Sequence, residues 1–228
     1  MNFKGFKSGT DIRGYGAEQF SDEPLYLSDE FVMAVAESFA NWLGARTGKY
    51  TNEITVSIGR DSRVSGPRIM TAAITALTAK GVKVYSCGLA STPAMFMSTL
   101  DLKCDGAIQI TASHHPWERN GLKFFTPDGG LEGENIAELL NMAEKIYGKS
   151  YRAEPSLCVE NDYMKTYCSH LQEMIKKGVI QAAIYQHPHQ QGQRAMLIVF
   201  DYLVNGIEPE CDKYIMRNEI RILQNAEG

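Results

Sequence analysis

Hydrophobic and polar positions along the chain follow two spacings, one helical and one extended. Ser28 suits an N-cap, with Asp29 and Glu30 in the positive first turn behind it. Phe31, Val35, Phe39, Trp42 and Leu43 then recur on one helical face, and Leu27 and Val32 stand at the spacing of a hydrophobic staple. Ile54 to Gly59 is short and apolar, a buried strand. Pro67 suits a first helical position; Ile69, Ala72, Ala73, Ala76 and Leu77 follow at helical period, and Gly81 supplies the stop. Val82 to Cys87 reads as a second strand, and Thr92-Pro93 opens a short helix through about Leu100. Gly106 to Thr111 and Gly121 to Phe125 read as further strands, separated by a loop around Pro116. Ile136, Leu139, Leu140, Ala143 and Tyr147 mark a last helix, which Gly148 ends. This alternation predicts an α/β domain over residues 1–150, helix-rich with about four short strands.

The pattern changes after Gly148. Lys149 to Ser156 reads as a linker with Pro155 inside it, and Asn161 caps a helix bearing Met164, Tyr167, Cys168, Leu171, Met174 and Ile175 on one face. Lys176, Lys177 and Gly178 form its C-terminal signal. Residues 181–194 are polar, Ala195 to Phe200 is a strand, and residues 205–228 show no firm period. One helix and one strand do not close a core. Residues 151–228 therefore read as a linker and the incomplete start of a second domain, with 180–228 less ordered.

Composition narrows the classes. The 228 residues are 44% hydrophobic and 22% charged, which on a prior of roughly 150 residues per domain fits one large domain or one domain plus a piece of a second. Twenty glycines and eight prolines exclude a collagen-like or low-complexity chain. A net charge of −4 offers no basic footprint for a phosphate backbone, so nucleic acid is not an expected partner. Apolar runs such as Ala195 to Phe200 are too short to span a bilayer, and Met1 to Thr10 lacks the apolar core of a secretory signal. The five cysteines are odd in number, widely spaced and never in a Cys-x-x-Cys pair. That argues against a disulfide scaffold or structural zinc and for a cytoplasmic location.

Ligands of open α/β sheets sit at the carboxyl ends of strands, so the residues just past each strand are informative. After the strand at Ile54 to Gly59 come Arg60, Asp61, Ser62 and Arg63, then a helix start at Ser65-Gly66-Pro67. Two arginines and a helix N-terminus suit an anion; the same residues also fit a solvated surface turn. After Gly106 to Thr111 comes Thr111-Ala112-Ser113-His114-His115-Pro116, a serine among small residues and two histidines. It is not the Gly-x-Ser-x-Gly of a hydrolase elbow, though a serine hydrolase remains a weak third reading. No third metal ligand lies at a standard spacing from the histidines, and His187 and His189 fall in a polar stretch. Lys123, between aromatic neighbours in a strand, either snorkels to solvent or is held in a site. Ser8 to Gly14, taken alone, reads as an ordinary mobile terminus.

Taken in order, Ser8-Gly9-Thr10-Asp11-Ile12-Arg13-Gly14, Gly59-Arg60-Asp61-Ser62-Arg63, Thr111-Ala112-Ser113-His114-His115-Pro116 and Asn120-Gly121-Leu122-Lys123 resemble the first domain of the α-D-phosphohexomutases. The resemblance covers about residues 5–148, and His115 stands where the family's commonest loop has asparagine. It implies a layered α/β/α domain with a mixed sheet, and phosphoryl transfer between the 1- and 6-positions of glucose or mannose phosphate. A hexose 1,6-bisphosphate would be the intermediate, and Mg2+ the cofactor. By the resemblance, Ser113 is the phosphoserine, and the metal meets this chain through its phosphate. Lys123 is the general acid/base, Arg13 an electrostatic partner and His114 a proton neighbour. Arg60, Arg63 and His115 bind phosphate or anchor the loop. Phosphoryl transfer is mostly positioning and neutralisation of oxygen charge, which suits cations around one serine.

The resemblance fades from about Ile180. The family's Asp-x-Asp-x-Asp-Arg metal loop is not found in residues 149–228, and Asp201 with Asn205-Gly206 only echoes a second-domain opening. The expectation is an incomplete mutase with little turnover alone; the rival is a non-catalytic phosphosugar-binding fragment.

Overall fold

The computed structural model describes residues 2–177 and, beyond them, the backbone strands at 182–185 and 219–222. The chain forms β1 (Lys7–Ser8), β2 (Asp11–Tyr15), α1 (Asp29–Thr47), β3 (Thr55–Arg60), α2 (Gly66–Ala79) and β4 (Lys83–Leu89). Then come α3 (Thr92–Asp101), β5 (Gly106–Ile110), β6 (Arg119–Thr126), β7 (Gly129–Gly130), α4 (Gly133–Ile146), β8 (Cys158–Glu160) and α5 (Tyr163–Lys176). β9 (Ala182–Tyr185) and β10 (Glu219–Ile222) complete the order.

Two of the expected helices start at serine caps, α1 and α3, whereas α5 starts at Tyr163, one residue beyond where a cap at Asn161 would start it. Ser28 Oγ accepts from Phe31 N at 3.2 Å, and Ser91 Oγ from Ala94 N at 3.3 Å. The sheet departs from expectation: it has eight strands, not about four, in the order β1-β2-β6-β5-β3-β4-β8 with β7 on β6. β5, β3, β4 and β8 run parallel, while β6, β2, β1 and β7 pair antiparallel. The added strands are short: β2 and β8 are defined by partners far along the chain, β6 and β4, while β1 and β7 fold back on the neighbouring β2 and β6. Asp11 to Tyr15 is not a mobile terminus, because β2 lies against β6 with Ile12 opposite Leu122.

Strand alternation sorts the sheet into two faces. Val56, Ile58, Ile108, Ile110, Leu122, Phe124 and Ile12 join the main core with α1, α2 and α4. On the other face Ala107 packs with Ala94 and Met95 of α3 and with Tyr163, and the buried hydroxyls of Ser57 and Ser98 lie 2.6 Å apart. Helices thus cover both faces of a mixed sheet. Burial pushes the Cys87 and Cys104 thiols up to about 12, so neither is a nucleophile; both, with Cys158 and Cys168, are free.

The stretch read as a linker is tied down. The Glu37 carboxylate on α1 accepts from Lys149 Nζ at 3.0 Å and Tyr151 Oη at 2.7 Å. β8 then extends the sheet beside β4, and fully buried Tyr163 donates to Asp101 at 2.6 Å. One compact unit runs through Cys168. A second spans Ser169–Gly228, where β9 and β10 pair antiparallel. The strand expected at 195–200, His187, His189 and the ordering of 180–228 otherwise lie outside the described residues. Among the described residues, no helix is long and apolar enough to cross a membrane.

Candidate functional site

The serine loop leaves the carboxyl end of β5, and three other segments meet it there. Arg60 closes β3 opposite Ile110, and Asp61 N donates to Ile110 O at 2.9 Å. β6 returns antiparallel, with Thr111 N donating to Gly121 O at 3.0 Å, and β2 lies on its far side with Arg13 opposite Gly121. This crowding explains the glycine of Asn-Gly-Leu-Lys: a Cβ on Gly121 would stand 2.4 Å from Ile12 O and 3.0 Å from Thr111 O. Asn120, fully buried, donates to Ser65 Oγ at 2.8 Å, tying β6 to the start of α2.

Strand parity puts Asp11, Arg13 and Lys123 on one face, opposite Ile12 and Leu122. Asp11 is 5% exposed, and Lys123 Nζ donates to both its carboxylate oxygens, at 2.8 and 2.7 Å. Arg13 donates to Oδ2 of the same carboxylate from Nη2 at 2.7 Å and from Nε at 3.2 Å. Its Nη1 reaches Ala112 O, next to the serine, at 3.5 Å. Lys123 is thus held in the site.

Ser113 is exposed and sits in the left-handed region at φ 59°, a conformation costing about 1–3 kcal/mol that its surroundings must impose. Two sets of bonds do so. Ser113 N donates to Thr111 Oγ1 at 2.9 Å, and that hydroxyl donates to Asp61 Oδ2 at 2.7 Å. Arg63 then reaches across from the β3–α2 loop. Its Nη2 donates to Ser113 O at 2.9 Å and His115 O at 2.7 Å, and Nη1 to Pro116 O at 2.6 Å and Arg119 O at 3.0 Å. Nε donates to Asp61 Oδ2 at 3.1 Å. The Arg60 side chain makes one hydrogen bond among the described residues, from Nη1 to Asp61 O at 3.1 Å.

His114 Nδ1 lies 3.5 Å from Ser113 Oγ, and the two histidine rings are 5.1 Å apart. Partial burial holds the His115 pKa below its ordinary value; the positive charges of Arg13, His114, Arg119 and Arg63 push the same way. The site is electropositive, suited to phosphate. A pocket of about 270 Å³ bordered by Gly16, Ser65, Arg68 and the half-exposed Trp117 adjoins the loop. A cleft of about 690 Å³ near Trp42, Lys103 and Gly130 lies at the opposite end of the sheet and belongs to no part of this site.

Sequence reasoning names Ser113, His114, His115, Lys123, Arg13, Arg60 and Arg63, and all seven lie at this end of the sheet. It assigns nothing to Asp11, Asp61 or Thr111. Each falls inside a segment already singled out, and the signal is an acidic or hydroxyl residue between cations or beside the serine. Among the described residues, no three His, Cys, Asp or Glu side chains converge as a metal site. The carboxylates of Asp11 and Asp61 are already engaged by cations and Thr111. These residues do not by themselves fit a magnesium ion, which needs near-octahedral oxygen coordination.

The family model described as phosphoglucomutase/phosphomannomutase, alpha/beta/alpha domain I, matches residues 7–149. The phosphoglucosamine mutase of Nautilia profundicola is 33% identical over 182 residues, covering 75% of this chain and 37% of that protein. The phosphoglucomutase of Neisseria meningitidis serogroup B is 32% identical over 163 residues, covering 71% of this chain and 32% of that one. The chain thus spans about a third of the length of these relatives. Among solved structures, that of a putative phosphomannomutase from Thermus thermophilus shares the fold, with a TM-score of 0.60 and 22% identity over 73% of this chain and 35% of that one.

Proposed function

The chain belongs to the phosphoglucomutase/phosphomannomutase family, and from that premise we propose that it carries the phosphoryl-accepting serine of a hexose-phosphate mutase. Ser113 Oγ attacks one phosphorus of a hexose 1,6-bisphosphate; the P–O bond to the sugar breaks, the sugar oxygen takes up a proton and leaves as a hydroxyl, and phosphoserine and a hexose monophosphate result. The phosphoserine in turn passes its phosphoryl group to the free 1- or 6-hydroxyl of a hexose monophosphate, which re-forms the bisphosphate and the Ser113 hydroxyl. The observation that carries this reading is the exposed Ser113, held left-handed on a braced loop that Arg13 reaches at Ala112 O, with Lys123 sharing the Asp11 carboxylate with Arg13. Arg13 neutralises the phosphoryl oxygens, Lys123 moves the proton of the sugar or serine hydroxyl, and His114 adjoins Oγ. Positioning and charge neutralisation are what phosphoryl transfer asks of a protein. The substrate class is a hexose phosphate, with the glucosamine phosphate of the relatives' name beside glucose and mannose phosphates. Magnesium would help neutralise the phosphate, yet the carboxylates it needs are not offered by these residues, and no step here runs through it.

A second reading, a phosphosugar-binding fragment without chemistry, is favoured by the Asp11 and Asp61 carboxylates being engaged by Lys123, Arg13, Arg63 and Thr111 rather than offered to a metal. Intact mass after incubation with glucose 1,6-bisphosphate separates the two. One added phosphoryl group, mapped to Ser113 and absent in Ser113→Ala, supports the mutase reading. Bisphosphate binding with no mass change supports the fragment.

A further inference from the structure

We propose that Arg63 is a positioning residue that shapes the serine loop and has no part in binding phosphate. This rests on the reading of Ser113 as the phosphoryl acceptor, and it separates Arg63 from Arg60, with which the sequence pattern groups it.

Counting donors distinguishes the two arginines. A guanidinium has five N–H groups in a fixed plane. Arg63 uses all five: one on Asp61 Oδ2, and two pairs on the carbonyls of Pro116, Arg119, Ser113 and His115. The side chain is 11% exposed, so no donor remains to be turned toward a ligand without breaking a loop bond. Arg60, by contrast, uses one donor among the described residues and keeps the rest for an incoming oxyanion. The four carbonyls that Arg63 gathers lie on both sides of the turn at His114, which makes the guanidinium the hub on which the loop closes. Asp61 joins the same hub to the amide of Ser113 through Thr111. A lysine offers three donors from a point charge on a flexible stem and cannot span four carbonyls and a carboxylate.

The test compares the full chain with Arg63→Lys, Arg63→Gln and Arg63→Ala, following Ser113 phosphorylation by glucose 1,6-bisphosphate through intact mass; near-ultraviolet circular dichroism confirms folding. Arg63→Lys and Arg63→Gln are expected to slow phosphorylation by about a hundredfold, the size of effect of a small misplacement. The half-saturating bisphosphate concentration should stay unchanged. Millimolar guanidinium, below its denaturing range, should restore part of the rate in Arg63→Ala. A weakened half-saturation with the rate intact would make Arg63 a phosphate ligand, and an unchanged rate would make it idle; either overturns the inference. If the parent chain takes no phosphate, the functional reading fails, and the hub is judged by hydrogen exchange at the amides of Ser113, His115 and Arg119. Exchange there should be at least about tenfold faster in Arg63→Lys, and unchanged protection overturns the hub.

Discussion

Both carboxylate oxygens of Asp11 accept from the ammonium of Lys123, at 2.8 and 2.7 Å, although the two residues lie far apart in sequence. Arg13 shares the same carboxylate, so one buried anion anchors the two cations assigned to phosphate chemistry. Removing one member of a buried ion cluster leaves a charge uncompensated. Asp11→Asn is therefore expected to lower stability by about 3–5 kcal/mol in urea unfolding. Adding Lys123→Met to it should recover part of the loss, because one stranded cation is gone. Purely additive losses would mean that the pair is not coupled.

Gly121 allows β2 and β6 to approach. A methyl group there would meet Ile12 O at 2.4 Å and Thr111 O at 3.0 Å, both backbone atoms that cannot swing aside. Gly121→Ala should cost the upper end of about 1–3 kcal/mol and loosen the Ser113 loop as well. Urea unfolding checks the first effect. Faster proteolysis within 111–119 checks the second.

Glu37 makes the segment after Gly148 sensitive to acid. Burial alone would raise its pKa; the bonds from Tyr151 and Lys149 and the charge of Lys80 outweigh burial and lower it below the ordinary 4.5. A carboxyl with a depressed folded value stabilises the fold fully above its unfolded value. That contribution fades as pH falls through 4.5 toward the folded value. Stability measured from neutral pH downward should drop in that window, and Glu37→Gln should flatten the drop.

His115 titrates the other way around. Its pKa is held down first by partial burial, then by Arg13, His114, Arg119 and Arg63, all of which favour the neutral ring. Arg13→Ala should bring its titration, followed by NMR, up toward 6.5. Phosphorylation of Ser113 should raise it further, because a dianion is added to a cationic surround. No response to either change would place His115 outside the field of the site.

Helices and central strands were legible from sequence because each carries its own signal. Ser28 caps α1, Thr92-Pro93 opens α3, and Val56 with Ile58 marks β3. The short strands carry none. Lys7–Ser8 and Gly129–Gly130 are two residues each, and Cys158–Glu160 has no apolar run, so only pairing defines them, with the adjacent β2 and β6 for the first two and with the distant β4 for the third. The same distinction holds at the site. Ser113, Lys123 and Arg13 stand out in ordered motifs, whereas Asp11 becomes meaningful only when β6 places Lys123 above it. Arg63 was visible as a cation near a strand end. That its donors all turn inward is a property of the loop's path, which no spacing encodes.

Turnover by this chain alone should be slight even where Ser113 accepts phosphate. The chain spans about a third of its relatives' length, and its described residues supply a nucleophile loop, a paired lysine and several arginines, but no converging carboxylates for a metal. Charge on the phosphoryl oxygens would be only partly neutralised. Orientation of a bound sugar can account for roughly 7–11 kcal/mol of a barrier, and the pocket beside Trp117 is small, about 270 Å³. Losing a third of that contribution already slows a reaction by more than about fiftyfold. Transfer from a bisphosphate to Ser113 depends less on such orientation, because the braced loop presents the hydroxyl without help from the sugar. The purified chain is therefore expected to gain one phosphoryl group slowly while interconverting hexose 1- and 6-phosphates at a rate near background. A coupled assay with magnesium and glucose 1,6-bisphosphate, run beside Ser113→Ala, measures this. Interconversion as fast as in a full-length relative, lost in Ser113→Ala, would show that the relatives' further length is not needed to orient the sugar.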